Sequence, residues 1–169
     1  LAGDLGLLPG SADSDELVKL VCAFSRHPVF QKIRQCFAQN RAHREVPFIV
    51  RDERGLMRGT IDLLFYDEET GWTILDYKTN RDYPGMVREK TAHYGFQLLS
   101  YAHAVSSITG EAPQKLGLYF AVPREYVEVS IDQALLMKTA KELGALKKAI
   151  IAGNVDKGCG KEECPFCRT

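Results

Sequence analysis

No stretch of this chain stays apolar for long enough to cross a bilayer, and its first residues do not place a basic segment ahead of a hydrophobic one. A spanning segment and a secretory signal are therefore not read here, and a cytoplasmic protein without a membrane partner is expected. Net charge is missing too. The 22 Lys and Arg balance 22 Asp and Glu, which removes any argument from total charge for a nucleic-acid partner. No G-x-x-x-x-G-K-[ST] loop occurs, so ATP hydrolysis, if the full protein has it, belongs to other sequence. Internal repeats and low-complexity tracts are absent, which sets aside solenoids and compositionally disordered arrays. There is no initiator Met. The opening LAGDLGLLPGSADSDE is rich in Gly, Pro, Ser and Asp and reads as a flexible leader over residues 1–13, in a piece of a larger protein.

What is present suits one domain. The 169 residues, 45% apolar and 26% charged, have an ordinary globular composition and can bury one real core. Charge is unevenly spread, with eight Arg and Lys against three acidic residues over 24–58, and one against four over 1–23. A local basic patch is compatible with a phosphate backbone, although such a run is more often a solvated face, and Arg34 and Arg41 are read as surface. Apolar spacing predicts a helix from Asp15, with Ser14 as N-cap and Leu17, Val18, Leu20, Val21 and Phe24 inward. Pro28 opens a second helix, with Val29, Phe30, Ile33, Cys36 and Phe37 buried.

Strands are expected over 44–51, 56–66 and 72–79, the last two joined by DEETG as a hairpin. A helix over 87–108, with Ala92, Phe96, Leu99, Ala102 and Val105 on the sheet, precedes two antiparallel strands, KLGLYFAVP and EYVEVSI. A last helix carries Leu135, Leu136, Ala140, Leu143, Leu146 and Ile150. This order predicts an α/β fold with a mixed central sheet flanked by helices. The folded unit is expected over 14–155, followed by a cysteine-containing tail over 156–169.

The chemistry concentrates in the hairpin. Alternation along 72–79 puts Trp72, Ile74, Asp76 and Lys78 on one face and Thr73, Leu75 and Tyr77 on the other. Asp62 lies in the partner strand within an apolar run, where an unmatched carboxylate is costly. Two converging strand carboxylates with an ammonium beside them make a site for a hard cation, Mg²⁺ or Mn²⁺. That arrangement suits phosphodiester hydrolysis. D-x-K alone is more often a half-exposed strand carrying an ion pair. Glu45 either pairs with Arg44 or Arg58 or supports the metal through water. Gly59 is read as allowing backbone, metal or substrate to come close. Asn80, Arg81 and Tyr83, in the loop after Lys78, are read as meeting substrate.

The ordered series REVPF, GTID, ILDYKT and QLLSY resembles the RecB-like nucleases of the PD-(D/E)XK superfamily, in particular the nuclease domain fused to helicases of the AddA and RecB kind. The resemblance covers about residues 40 to 125. It implies a restriction-endonuclease-like fold and a metal-dependent deoxyribonuclease, with an exonuclease as the expected form. In it Glu45 matches the first acidic motif, Asp62 the first metal-binding aspartate, and Asp76 and Lys78 the catalytic pair. Gln97 and Tyr101 match the Q-x-x-x-Y helix, and the carbonyl of Tyr77 joins Asp62 and Asp76 as a metal ligand.

Family members usually carry a metal-binding His in a G-x-x-x-H helix upstream. This chain lacks that phrase, and neither His27 nor His43 has the expected surroundings, while His93 falls in the Q-x-x-x-Y helix. The partners implied are DNA, single-stranded as a helicase delivers it, and a helicase region, covalently linked or on a partner chain, that works in double-strand break repair and recombination. The alternatives are a catalytically inactive DNA-binding or structural module of such a complex, or an α/β domain unrelated to DNA.

Cys159, Cys164 and Cys167 crowd the end in C-x4-C-x2-C spacing. In a cytoplasmic chain this reads as metal ligation rather than disulfides, with free thiols as the plain alternative. Some RecB-like nucleases hold a 4Fe-4S iron-sulfur cluster with three such cysteines and one upstream, for which Cys22 or Cys36 stands here. Zn²⁺ is equally allowed by the ligand chemistry.

Overall fold

The computed structural model describes residues 12–52, 55–79, 84–129 and 133–153. Two helices, α1 (Ala12–Arg26) and α2 (Pro28–Ala38), precede strands β1 (Ala42–Asp52), β2 (Gly55–Asp67) and β3 (Gly71–Lys78). A single 3-10 turn, Pro84–Met86, leads into α3 (Val87–Thr109), followed by β4 (Lys115–Phe120), β5 (Glu125–Val129) and α4 (Gln133–Ile151). The strands form one sheet in the order β1-β2-β3-β4-β5. β3 and β4 run parallel with α3 as their crossover, and the other neighbours are antiparallel. This is the mixed, helix-flanked sheet expected from the order of elements.

The two central strands explain the layering. Thr73 to Asp76 of β3 and Leu116 to Phe120 of β4 are buried without interruption, as strands covered on both faces must be. On one face Leu98, Leu99, Ala102 and Val105 of α3 pack against Ile61, Leu64, Ile74, Leu116, Leu118 and Phe120. On the other, Ile33 and Cys36 of α2 pack against Ala42, Leu63, Phe65, Leu75 and Tyr119. Phe24 of α1 closes that side edge-on to Tyr77, with ring centroids 5.4 Å apart. Ile74 and Leu75 thus divide between the faces as strand alternation requires.

Several local expectations change. α1 starts at Ala12, so Ser14 lies buried inside it rather than capping it. In α3, Phe96 is 39% exposed and Leu98 is fully buried in its stead, because the helix sets its sheet-facing stripe one step round from the spacing assumed. α4 packs mainly on α3 and forms an outer layer. Leu146 and Ile150 are exposed on it. The side chains of Ala92, Leu135, Leu136 and Ala140 lie outside the described residues.

Gly59 also has another reason. It stands directly opposite Phe48 in the β1/β2 register, and a Cβ there would meet the Phe48 ring at 2.7 Å. The glycine makes room for a core aromatic.

Candidate active site

The hairpin turn sets the geometry. Asp67 Oδ1 accepts from the amides of Glu69 and Thr70 at 3.1 and 3.0 Å and from the Thr70 hydroxyl at 3.0 Å. Gly71 takes φ +68°, a conformation open to glycine at little cost. From Asp67↔Gly71 the ladder runs in register to Leu63↔Leu75 and stops. The same register would next pair Asp62 with Asp76. Instead, Asp62 Oδ2 accepts the backbone N–H of Tyr77 at 2.9 Å, so a side chain takes over from the ladder where the strands part.

The other edge of β2 breaks at the same residue. The β1 register passes from Arg44↔Leu63 to Val46↔Ile61 and omits Glu45 and Asp62. Glu45 has φ +50°, uncommon for a side chain that gains nothing from it, and it is exposed. No ion pair joins it to Arg44 or Arg58 among the described residues. Asp62 is thus a carboxylate set into a strand at a point where both ladders are interrupted.

Asp76 follows on the α3 face of β3 and is only 2% exposed. Its Oδ2 lies 2.6 Å from Lys78 Nζ. This buried oxygen is thus engaged by the Lys78 ammonium, the same group that also reaches Gln97. Burial pushes the Asp76 carboxyl above its ordinary range; Lys78 opposes the rise and the charge of Asp62 adds to it.

Lys78 is held from several sides. Its Nζ donates to Gln97 Oε1 at 2.9 Å, Gln97 Nε2 donates to the Tyr101 hydroxyl at 2.9 Å, and the ammonium lies 3.9 Å from the centre of the Tyr94 ring. Burial raises the Tyr101 phenol, Gln97 opposes that rise, and the charges of Asp76 and Asp62 add to it. Tyr77 turns its ring to the opposite face, where burial and Asp62 push its phenol up to about 12.

An open cavity of ≈ 600 Å³ adjoins the lysine, lined by Tyr77, Lys78, Thr79, His93, Tyr94, Phe96 and Gln97. The structure therefore brings Asp62, Asp76, Lys78, Gln97 and Tyr101 together, with Glu45 across the broken ladder.

These features agree with the comparison of the whole sequence with known families, in which residues 9–169 match the PD-(D/E)XK nuclease superfamily. The chain belongs to the PD-(D/E)XK nuclease superfamily. It is similar to an ATP-dependent helicase/nuclease subunit of Lysinibacillus sphaericus, 34% identical over 102 residues, which is 54% of this chain and 8% of that protein. The corresponding protein of Carboxydothermus hydrogenoformans is 43% identical over 68 residues, 40% of this chain and 6% of that protein. The chain thus spans less than a tenth of the length of these relatives. In fold it resembles a crystal structure of a "putative exonuclease" from Eubacterium rectale, with a TM-score of 0.58 at 14% identity over 94% of this chain and 60% of that one. The domain is a nuclease domain of the PD-(D/E)XK type.

PD-(D/E)XK nucleases generally use divalent metals. The donor set here fits a hard cation in part: a buried Asp76 carboxylate with one oxygen paired to Lys78, and an Asp62 carboxylate with one oxygen engaged by Tyr77. Among the described residues no group of three or more His, Cys, Asp and Glu could hold a metal. His27 is committed elsewhere. Its Nδ1 accepts from Val29 N at 3.2 Å as the N-cap of α2, and its ring packs on Tyr119 and Tyr126. His43 lines a separate cavity with Arg41, Tyr66 and Trp72. His93 alone of these reaches the cavity beside Lys78.

Cys36 is a buried core residue and Cys22 is exposed; Cys159, Cys164 and Cys167 lie outside the described residues, as do Asn80, Arg81 and Tyr83. Tyr94 is a site residue that the sequence motifs do not mark. Its signal was its place one helical turn ahead of Gln97, on a side of α3 that the relay must also use.

Proposed function

We propose that this domain hydrolyses DNA phosphodiesters with a divalent ion held by Asp62, Asp76 and the Tyr77 carbonyl, as the nuclease part of a helicase-nuclease acting on double-strand breaks. The observation that carries the reading is the convergence on Lys78 of Asp76 at 2.6 Å and Gln97 at 2.9 Å, one residue from the amide that anchors Asp62. When bound, Mg²⁺ or Mn²⁺ would lower the pKa of a water and polarise the phosphoryl group.

The chain's own residues account for the rest. Asp62 and Asp76 supply anionic oxygens, Lys78 offsets the charge that develops on the phosphate, and Gln97 and Tyr101 hold the ammonium in place before substrate arrives. Glu45 orients water at the open side of Asp62. An ion held by Asp62, Asp76 and the Tyr77 carbonyl would leave room for water and for substrate phosphate, which Mg²⁺ accepts readily. Single-stranded DNA is the proposed substrate, and a helicase region, linked or on a partner chain, the proposed source of strand delivery.

A labelled single-stranded oligonucleotide incubated with Mg²⁺ or Mn²⁺ tests this. Wild type should cleave it and Asp76→Asn should not. Lys78→Gln, which retains a donor toward Gln97, should bind the ion and lose the chemical step. Equal cleavage by all three proteins would remove the assignment.

A further inference from the structure

Phe96 is an apolar ring that the core does not use. The spacing of α3 makes it a core position, yet it is 39% exposed while its neighbours Leu98 and Leu99 are buried. It opens instead onto the cavity of ≈ 600 Å³ that is also lined by Lys78 and Gln97. His93 lies one turn before it on the same cavity wall, with its ring edge-on to Tyr94 at 5.3 Å between centroids. Tyr94 is already engaged beneath the Lys78 ammonium at 3.9 Å. The outer wall therefore carries the partly exposed ring of Phe96, beside His93, on the cavity that the lysine of the site also lines.

We infer that Phe96 is the stacking platform for a nucleobase of the strand being cut. This rests on the hydrolysis reading above and deepens it by naming how the strand is held. The occupant follows from continuity. A phosphate at Lys78 carries its sugar and base into the adjoining cavity, and every nucleobase offers a π-face that an exposed aromatic ring can match without reading sequence. A base that is paired within a duplex keeps that face covered by its neighbours. The platform therefore favours single strands whose bases are free to unstack. Phe96 is a positioning residue, since it touches the base and not the reacting phosphate.

The test separates stacking from packing and from hydrolysis. In the Asp76→Asn background, which leaves the strand intact, a single-stranded oligonucleotide carrying one 2-aminopurine is titrated with protein and its fluorescence followed. Its affinity is compared with that of an oligonucleotide of the same length carrying abasic residues. Phe96 should quench the probe and favour the base-bearing strand by about fivefold to a hundredfold, the range that base–aromatic stacking supports. Phe96→Leu should lose both effects and Phe96→Trp should restore them, whereas a residue needed only for packing would be replaced well by Leu.

Equal affinity of wild-type Phe96 protein for base-bearing and abasic strands overturns the platform, as does full function of Phe96→Leu. If wild type cleaves base-bearing and abasic strands alike, hydrolysis stands and the platform falls. If it discriminates between them in binding but cleaves neither with Mn²⁺, the platform stands and hydrolysis falls.

Discussion

At the scale of single residues the site is a set of costs held in place by neighbours. Asp76 is a buried carboxylate whose protonation is favoured by desolvation, with Lys78 as the main opposing influence. A carboxyl whose folded pKa is raised contributes its stability fully below its unfolded value and loses it as pH rises through the folded one. Melting curves should therefore show wild type falling relative to Asp76→Asn as pH climbs from the ordinary 3.8 through the raised value, with the gap then constant. On the proposed reading a divalent ion held by Asp62 and Asp76 would offset that loss by favouring the folded state. At ten times its Kd, Mn²⁺ is expected to stabilise wild type by about 1.4 kcal/mol and Asp76→Asn by much less. Equal thermal shifts for the two proteins would place the ion elsewhere.

Glu45 offers a second residue-scale test. Its φ of +50° is strained for a side chain, and αL costs a non-glycine residue roughly 1–2 kcal/mol. Glu45→Gly should therefore unfold at the same or higher urea concentration while cleaving DNA more slowly. A loss of stability with unchanged cleavage would make Glu45 a structural residue.

At the scale of elements, two breaks and one relay define how β2, β3 and α3 cooperate. The β2 ladders stop on both sides at Asp62, and α3 bridges back to β3 through Gln97 and Tyr101. Tyr101→Phe removes the hydroxyl that accepts from Gln97, which should cost about 0.5–1.5 kcal/mol of stability. It should also lower kcat more than it raises KM, because the bond it deletes positions Lys78 rather than substrate. Gly59 tests the β1/β2 contact. A methyl there meets a buried Phe48 ring at 2.7 Å, and overpacking of that kind costs about 1–3 kcal/mol. Gly59→Ala should thus shift the urea midpoint down, and Gly59→Ala combined with Phe48→Leu should recover part of it.

At the scale of the whole molecule, the chain is a two-faced sheet with α1 and α2 on one side and α3 backed by α4 on the other. Among the described residues no helix is long and apolar enough to cross a membrane. Cys159, Cys164 and Cys167 lie outside the described residues, and elemental analysis of anaerobically prepared protein, with Cys164→Ser beside it, decides between the iron-sulfur or zinc ligation that their spacing suggests and free thiols.

Local sequence was enough to set the order of elements, the hairpin and its turn, and the sharing of one β3 face by Asp76 and Lys78. Each of these depends on short-range periodicity or on a turn residue such as Gly71, and neighbours along the chain suffice to fix it. Order and spacing within a recognisable family pattern also singled out Asp62, Gln97 and Tyr101 as a set. Tertiary packing was needed to move Phe96 out of the core and Leu98 into it, to fit Gly59 against Phe48, and to commit His27 to capping α2 instead of approaching the site. It alone joined Lys78 to Gln97 and Tyr94 across elements and put the ladder breaks at Asp62. Those outcomes depend on how α3 is rotated over the sheet and where strands part. Both are set by packing between segments distant in sequence, which no local pattern carries.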